Sequence, residues 1–258
     1  ADAWQSKLKG AEKKALGNAE IVAELSNVKA AFAATNREQL LAIMQNVFQV
    51  QHEKYGFAQA QFHEAPATAF LRLHNPEKFG EDVSSYRRIV VDVNQNVAIR
   101  KGIEITTSGV GIFGTVPMTD DKGKHTGSFE MALEFNTLLD ELKAAYNFEL
   151  AVFIDEKMLR QTATALTGDV LNEENRVGSY IRFYTTNTDL LQELVNDHQI
   201  DITPEGAHYV DDVAGVPYGV LLQPLYNYTY QKIGVIAIVK SFSATHSLIR
   251  QAIIWQTL

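Results

Sequence analysis

The sequence predicts an α+β protein in which N-terminal helices precede two copies of one module, each a mainly antiparallel sheet with flanking helices. Three observations predict this fold class. The chain has 258 residues, which suits two domains better than one. Residues 128–135 alternate strictly between apolar and polar, as in an antiparallel strand with one polar face. A spacing of proline, glycine and phenylalanine in the first half also recurs in the second half.

The recurring spacing links the two halves of the chain. The three residue types are separated by gaps of ten and eight residues at Pro117, Gly127 and Phe135, and again at Pro224, Gly234 and Phe242. In each set a proline enters an outgoing strand, a glycine opens the return strand and a phenylalanine closes it. Because the order of the surrounding elements also matches, we interpret the halves as two copies of one module.

The N-terminal region predicts two helices that lead into the first module. Apolar residues recur at spacings of three and four at Ile21, Val22, Leu25, Val28 and Phe32. This pattern places one apolar stripe on a first helix. Thr35, with Glu38 three residues later, is a capping-box pattern that starts a second helix ending near Gly56. A long helix before a shorter one is typical of a stalk, and a pair of bundle helices is the alternative.

Strand and helix patterns then alternate along each half. Strands are predicted at residues 68–74, 103–107, 112–118, 128–135, 148–154, 216–222 and 233–239, and a turn is predicted at residues 120–123. Helices are predicted over residues 83–93, after a cap at Asn136 and after a cap at Thr188. A polar last helix begins near Ser243 and would point back toward a membrane.

These patterns give four segments. The N-terminal helices cover residues 1–56, the first module 57–147, the second module 148–242 and the C-terminal helix 243–258.

Composition excludes several classes of function. The net charge of −8 argues against nucleic-acid binding, which needs a basic surface to replace counterions on phosphates. The absence of cysteine excludes a disulfide framework, a thiolate metal site and a cysteine nucleophile. The sequence contains no apolar run of about 18 residues, so any transmembrane helices would lie outside this chain. The first residue, Ala1, suggests a processed protein or an excised segment.

No motif for catalysis, metal binding or cofactor binding is found. Gly109, Gly111 and Gly114 spell GxGxxG, but strand-forming residues follow them, whereas a dinucleotide site requires a helix there. No two histidines lie within five residues of each other, which argues against a metal site. We therefore expect no enzymatic activity, no metal and no cofactor.

Arginine and histidine side chains on one predicted strand suggest a ligand pocket. Alternation places Arg72 and His74 on the same face, beside Phe70. An arginine can donate two parallel hydrogen bonds to a carboxylate, and a histidine can add a third. Arg87 and Arg88, on the following helix, could close such a pocket. The alternative is that these arginines pair with Glu81, Asp82 or Glu130 and only stabilise the fold.

Residues 62–88 read FHEAPATAFLRLHNPEKFGEDVSSYRR, and this stretch resembles the double Cache sensor domains of bacterial receptors. These domains occur in methyl-accepting chemotaxis proteins, sensor kinases and diguanylate cyclases. The resemblance continues through GIEITTSGVGIFGTVPM and MALEF, and it covers the second module only in outline. It implies a long N-terminal stalk helix, a membrane-distal PAS-like (Cache) module that holds the ligand, and a membrane-proximal one.

The resemblance also implies a set of pocket residues. Motif positions that match the family are His63, Arg72, His74 and Arg87, and Glu104 and Glu130 are added because they lie on what we expect to be adjacent strands of the distal module. Related sequences often carry arginine where this chain has Thr107 and Phe113, and Phe113 is kept as a pocket residue. Two fewer cations favour a small monocarboxylate, or a less charged molecule, over a dicarboxylate.

The resulting prediction is a periplasmic ligand-binding sensor domain of a chemoreceptor. The intact receptor is expected to be a homodimer, anchored in the inner membrane through segments outside this chain. The ectodomain of a sensor histidine kinase or of a diguanylate cyclase is the first alternative. A free periplasmic solute-binding protein is the second, although that class prefers parallel sheets, and an enzyme is the third.

Overall fold

The computed structural model describes residues 2–166 and 168–243, without the side chain of His198. Within these residues the helices are α1 (Asp2–Ala23), α2 (Ser26–Ala33), α3 (Arg37–Tyr55), α4 (Arg88–Asn96), α5 (Phe135–Tyr146), α6 (Glu156–Thr162), α7 (Thr188–Leu194) and α8 (Asp197–Ile200), with a short 3-10 helix at Glu173–Asn175. The strands are β1 (Phe57–Glu64), β2 (Thr68–Arg72), β3 (Arg100–Thr106), β4 (Gly109–Thr119), β5 (His125–Glu134), β6 (Glu149–Asp155), β7 (Arg176–Val177), β8 (Tyr180–Thr185), β9 (Ala207–Val213), β10 (Val216–Tyr226) and β11 (Lys232–Ser241).

The strands form two antiparallel sheets with the same connectivity, which confirms the predicted antiparallel pairing. The first sheet has the order β2-β1-β5-β4-β3, and the second has β7-β8-β6-β11-β10-β9. The edge strand β7 has no counterpart in the first sheet. The two orders are otherwise the same when strands are matched in chain order: β1 with β6, β2 with β8, β3 with β9, β4 with β10 and β5 with β11. We call the part of the chain that builds each sheet the first and the second module.

The strand register agrees with the proline–glycine spacing seen in the sequence. Pro117 pairs with Ser128 in the first sheet, and Pro224 pairs with Val235 in the second. Positions in β4 and β5 therefore correspond to positions in β10 and β11 that lie 107 residues later. This relation allows the two sheets to be compared residue by residue.

The two equivalent glycines perform the same task. A Cβ atom on Gly127 would lie 2.1 Å from the carbonyl oxygen of His63, and one on Gly234 would lie 2.1 Å from that of Phe153. In both sheets the neighbouring strand approaches too closely for any side chain at this position.

Each sheet is covered on both faces. Helices α1, α2, α3 and α5 cover one face of the first sheet, and this core continues into the second sheet through residues such as Val152 and Ile236. The other face of the first sheet lies against Val83, in the segment before α4, and against Ile89 and Val90 of α4. The other face of the second sheet lies against α7.

The predicted N-terminal helix is interrupted. Helix α1 spans 22 residues and ends at Ala23, and α2 begins at Ser26, so the long stalk is only partly present. Ile21 and Leu25, placed on the buried stripe by the sequence, are 67% and 40% exposed. The prediction was wrong there because the backbone is extended at Leu25, with φ −69° and ψ 119°, so one helical stripe does not continue from α1 into α2.

Three predicted caps lie one or two residues away from the observed capping residues. Helix α3 is capped by Asn36, whose side chain accepts from the Gln39 N–H, and not by Thr35. Asn187 caps α7 instead of Thr188. Asn136 lies inside α5, which begins at Phe135. In the first two cases the cap is an asparagine, which caps at least as well as threonine. It follows the predicted threonine in α3 and precedes it in α7.

Other element boundaries also differ. Helix α4 starts at Arg88, so the first part of the helix predicted over residues 83–93 is an irregular segment that crosses the sheet. The GxGxxG glycines lie in β4, and no helix follows them. The predicted helix beginning near Ser243 lies outside the described residues. None of the described helices is both long enough and apolar enough to cross a lipid bilayer.

Candidate functional site

A group of buried polar side chains lies between the first sheet and the segment that leads into α4. Strand alternation puts them there. On β1, Phe62 packs against the N-terminal helices, while Gln61 and His63 face the opposite side of the sheet. On β5, Phe129 lies on the same face as Phe62, and Glu130 lies on the opposite face. The sequence correctly separated these faces, but it assigned the polar face of β5 no burial, whereas Glu130 is fully buried.

Arg87 and two carboxylates form the centre of this group. The Nη1 and Nη2 atoms of Arg87 donate to Oε1 and Oε2 of Glu130 at 2.6 and 2.7 Å, which forms a bidentate ion pair. Its Nε atom donates to Oε2 of Glu104 at 2.9 Å. The guanidinium also lies 4.3 Å from the ring centroid of Phe113, within cation–π distance.

The pKa values of the two carboxyl groups are shifted in opposite directions. Burial raises the pKa of Glu104, although Arg87 and the Ile89 N–H act in the opposite direction. Burial also opposes ionisation of Glu130, but the charge of Arg87 and its hydrogen bonds hold the pKa of that carboxyl below its usual value. The remaining oxygen of Glu104 accepts from the Ile89 N–H at 2.9 Å. Glu104 therefore fixes the first turn of α4 as well as Arg87.

Gln61 connects this ion cluster to Arg72. Its Nε2 atom donates to Oε1 of Glu130 at 3.0 Å, and its Oε1 atom accepts from Nε of Arg72 at 3.0 Å. Arg72 also donates to the carbonyl oxygen of Lys78 at 2.7 Å and pairs with Glu81 at 2.7 Å. The two arginines are thus held in fixed positions by one hydrogen-bonded network.

His63 lies in the same buried layer without a hydrogen-bond partner among the described residues. Its Nε2 atom is 3.9 Å from Oε1 of Glu130. Burial, together with the charges of Arg87 and Arg72, lowers the pKa of His63 to about 4 against the opposing effect of Glu130. The imidazole is therefore neutral at physiological pH.

A cavity of about 120 Å³ opens beside this network. It is lined by Gln59, Gln61, Arg72, His74, Asn75, Lys78, Tyr86, Arg87, Thr106 and Thr107. The lining contains three cationic side chains and no carboxylate. Because a water molecule occupies roughly 30 Å³ in the liquid, the cavity has room for about four water-sized groups.

The structure brings most of the predicted site residues together. Arg72, Arg87, His63, Phe113, Glu104 and Glu130 all belong to the buried network or contact it. His74 lies just beyond β2, is exposed, lines the cavity, and has its ring 6.5 Å from the ring of Phe48. Glu104 and Glu130 do not lie on adjacent strands as predicted, because β4 separates β3 from β5.

Other contributing residues were missed by sequence reasoning. Gln61, Thr115 and Lys78 were not considered, although alternation on β1 could have identified Gln61, two residues before His63. Thr115 donates to Oε2 of Glu130 at 3.3 Å. The alternative partners considered for the arginines are present, since Arg72 pairs with Glu81 and Arg87 with Glu130. Whether any of these residues binds a ligand stays a prediction.

Residues 2–246 match a double Cache family model described as the double sensory domain of two-component sensor kinase. No curated protein shows a significant sequence match to this chain. The fold is similar to that of the Vibrio cholerae histidine kinase DctB sensor domain, at a TM-score of 0.52 and 9% identity, over 93% of both chains.

Two further solved structures are similar at lower TM-scores. One is the ligand-binding domain of the Pseudomonas aeruginosa PAO1 amino acid chemoreceptor PctC in complex with GABA, with a TM-score of 0.46, 16% identity and 92% of both chains covered. The other is an extracellular ligand binding receptor from Desulfohalobium retbaense, with a TM-score of 0.44 and 13% identity. The match covers 92% of this chain but only 40% of that receptor. At these TM-scores no functional argument follows.

Proposed function

This chain belongs to the family of double sensory domains of two-component sensor kinases, and on this premise we propose that its first module binds a small carboxylate. The chain would lie on the outer side of the inner membrane, in a homodimeric receptor anchored by segments outside this sequence. The ligand would bind in the cavity between the first sheet and the segment preceding α4. The proposal assigns the domain binding and no catalysis.

The observation that carries the proposal is the charge of the cavity lining. Arg72, Lys78 and Arg87 border about 120 Å³, and no carboxylate borders it. The two glutamates of the ion cluster lie behind the arginines and outside this lining. An anion in the cavity would therefore meet cationic and neutral groups only.

The arginines retain donors for such a ligand. An arginine has five N–H donors. Arg87 uses three of its nitrogens on Glu104 and Glu130, each through one hydrogen bond. Arg72 likewise uses three, on Gln61, Lys78 and Glu81. Two N–H groups on each side chain are left, and the network holds them in place before the ligand arrives, which lowers the entropic cost of binding.

The volume restricts the ligand to a few non-hydrogen atoms. Acetate, with four non-hydrogen atoms, matches the cavity, propionate and lactate, with five and six, are slightly larger, and succinate, with eight, is about twice its size. The size limit and the charge argument together support the small monocarboxylate that the sequence favoured.

Two outputs are proposed for the intact receptor. The sequence resemblance supports a methyl-accepting chemotaxis protein, and the family description supports a sensor kinase. The sequence that follows Leu258 in the intact protein distinguishes them, because a histidine kinase core and a methyl-accepting coiled coil have unrelated patterns. A kinase core there would contradict the chemoreceptor proposal.

The binding proposal is tested by thermal unfolding and calorimetry with acetate, propionate, lactate and succinate. A ligand at 100 times its Kd stabilises the native state by about 2.7 kcal/mol, so a bound monocarboxylate should raise Tm by several degrees. Lys78→Gln removes one lining cation whose side chain makes no ion pair with another described residue, and should weaken binding about tenfold.

The matched control is Lys122→Gln, in the exposed turn between β4 and β5. It removes the same charge far from the cavity and should leave the affinity unchanged. Equal losses in both variants, or no stabilisation of the unmodified chain by any of the three monocarboxylates, would overturn the proposal.

A further inference from the structure

A second and larger cleft lies between the two modules. Its walls are α4 and β3 of the first module, and α6 and the turn between β10 and β11 of the second. Its volume is about 800 Å³, within the range of roughly 300–1,000 Å³ that is usual for small-molecule sites. The cavity assigned above to a small carboxylate is far smaller, so the two places suit different ligands.

The cleft wall contributed by the second module is fixed in position. The Tyr228 N–H donates to the carbonyl oxygen of Ile103 at 3.0 Å. A Cβ atom on Gly102 would lie 2.9 Å from Cα of Tyr228, so the turn rests directly on the backbone of β3. Within the turn, Oδ1 of Asn227 accepts from the N–H groups of Thr229 and Gln231 at 3.0 and 2.9 Å. These contacts within the chain hold the wall in place.

Arg88 is an unpaired cation in this cleft. Its side chain is exposed and makes no hydrogen bond or ion pair with another described residue, whereas the side chain of Arg87 before it is held by Glu104 and Glu130. The two carboxylates of the lining are already paired with other arginines. Both oxygens of Asp92 are held by Arg100, at 2.8 and 3.0 Å, and Glu104 is held by Arg87. Arg88 is thus available to an anionic group from solution.

The rest of the lining consists mainly of neutral hydrogen-bonding groups beside a few apolar side chains. The amides of Gln95 and Gln161 and the hydroxyl of Tyr228 have no partner among the described residues. Burial, with the charges of Glu104 and Asp92, raises the pKa of Tyr228 to about 12, so its hydroxyl stays protonated and can donate. Met158 and Ile105 add apolar surface.

We propose that the cleft between the modules binds a sugar acid, a polyhydroxylated carboxylate of monosaccharide or disaccharide size. Arg88 would hold the carboxylate. Gln95, Gln161 and Tyr228 would hydrogen-bond to the hydroxyl groups, and the apolar side chains would contact the ring face. A ligand in this position touches both modules and would favour the arrangement in which they are closest.

Calorimetry and thermal unfolding of the whole chain with D-galacturonate, D-glucuronate, galactose and acetate test this site. We expect a uronate to raise Tm, and we expect Arg88→Gln to weaken its binding at least tenfold. Arg160→Gln is the matched control, because Arg160 lies on α6 but does not line the cleft. It should bind the uronate as the unmodified chain does.

Gln161→Ala gives an independent reading from the opposite wall and should also weaken uronate binding. Both altered side chains are exposed, so folding should be retained, and circular dichroism checks this. The two sites are separable: Lys78→Gln should spare uronate binding, and Arg88→Gln should spare acetate binding. No uronate binding, binding equal to that of neutral galactose, or binding unaffected by both Arg88→Gln and Gln161→Ala would overturn the proposal.

Discussion

The two sheets share one strand order, yet the faces that they turn toward α4 and α7 differ in chemistry. In strand register, Gln61, His63, Thr115, Ser128 and Glu130 of the first sheet correspond to Ala151, Phe153, Leu222, Val235 and Ala237 of the second. Each of these five polar side chains has an apolar equivalent in the second sheet, whereas Glu104 corresponds to the exposed Asp211. Within the described part of the second module, Arg182 is the one buried charged residue.

The difference shows that this backbone arrangement does not by itself create a binding site. With apolar side chains, the second module closes over an ordinary core made by α7 and its sheet. With polar side chains at the same positions, the first module holds two arginines and their partners in a fixed network. The comparison supports the proposal that the first module binds the ligand, and each of the following experiments tests whether the contrast is real.

The largest effect is expected from Glu130→Ala, which makes the first sheet resemble the second at this position. The change leaves Arg87 buried with one carboxylate instead of two, and breaking a buried ion pair costs about 3–5 kcal/mol. Urea unfolding measures the loss. Adding Arg87→Met should cost less than the sum of the two single changes, because the residues are in direct contact. A loss below about 1 kcal/mol for Glu130→Ala would contradict the ion cluster.

The next effect is a pH dependence that His63 gives to the first module and Phe153 cannot give to the second. The pKa of His63 is about 4 in the folded chain, against an ordinary value of 6.5. Between these values the unfolded chain binds a proton that the folded chain does not, so stability falls as the pH falls from 6.5 to 4. The loss amounts to about 3 kcal/mol over this interval.

His63→Phe, which copies the second module, should remove that part of the pH dependence. Unfolding free energies at pH 7 and pH 4 measure it. Glu130 also contributes a loss at low pH, so the informative quantity is the difference between the variant and the unmodified chain. His208→Gln, on the exposed edge strand β9, is the control and should keep the original pH dependence. An unchanged slope in His63→Phe would mean that this imidazole titrates normally.

A smaller effect tests what the modules have in common. Gly127→Ala and Gly234→Ala each force a Cβ atom against a backbone oxygen, and overpacking of this kind costs about 1–3 kcal/mol. Both variants should lose stability to a similar extent. In contrast, Gly10→Ala on α1 meets no atom within 4 Å and should stabilise the helix by roughly 0.5–1 kcal/mol. A loss of stability in only one of the two variants would show that the two glycine positions are not equivalent.

The smallest effect concerns ion pairs in the second module, which lie at the surface. Arg160 pairs with Glu156 at 2.7 Å, and its side chain is 44% exposed. Exposed pairs of this kind contribute little. Arg160→Gln should leave the urea midpoint unchanged within error. A clear shift would mean that surface ion pairs of the second module also contribute substantially to the free energy of unfolding.

Local patterns predicted strands β2 to β5 of the first module, whereas β1 was not recognised. Alternation separated Phe129 from Glu130, and the turn at residues 120–123 was recognised from its Asp, Lys and Gly residues. These features depend on neighbours in sequence, so one strand or turn contains all the information. The proline–glycine spacing also carried across the halves, because both modules need a glycine where the next strand crosses closely.

Features that depend on distant partners were not predictable. Nothing near Glu130 shows that its face is buried, because the burial comes from Arg87, 43 residues away, and from helix α4. The placement of β4 between Glu104 and Glu130 is a property of the sheet order. The break between α1 and α2 carries no proline or glycine, and packing against the sheet decides it.

The contact between Gly102 and the turn at Tyr228 restricts how the two modules can be recombined. A chimeric receptor that joins this first module to another second module needs a hairpin tip that rests on a bare backbone at this point. If the imported tip is longer or shorter, the hydrogen bond from position 228 is lost and the strand that carries Glu104 loses its support. Transplanting the segment Asn227–Gln231 together with the first module should therefore give more functional hybrids than cutting at the module boundary alone.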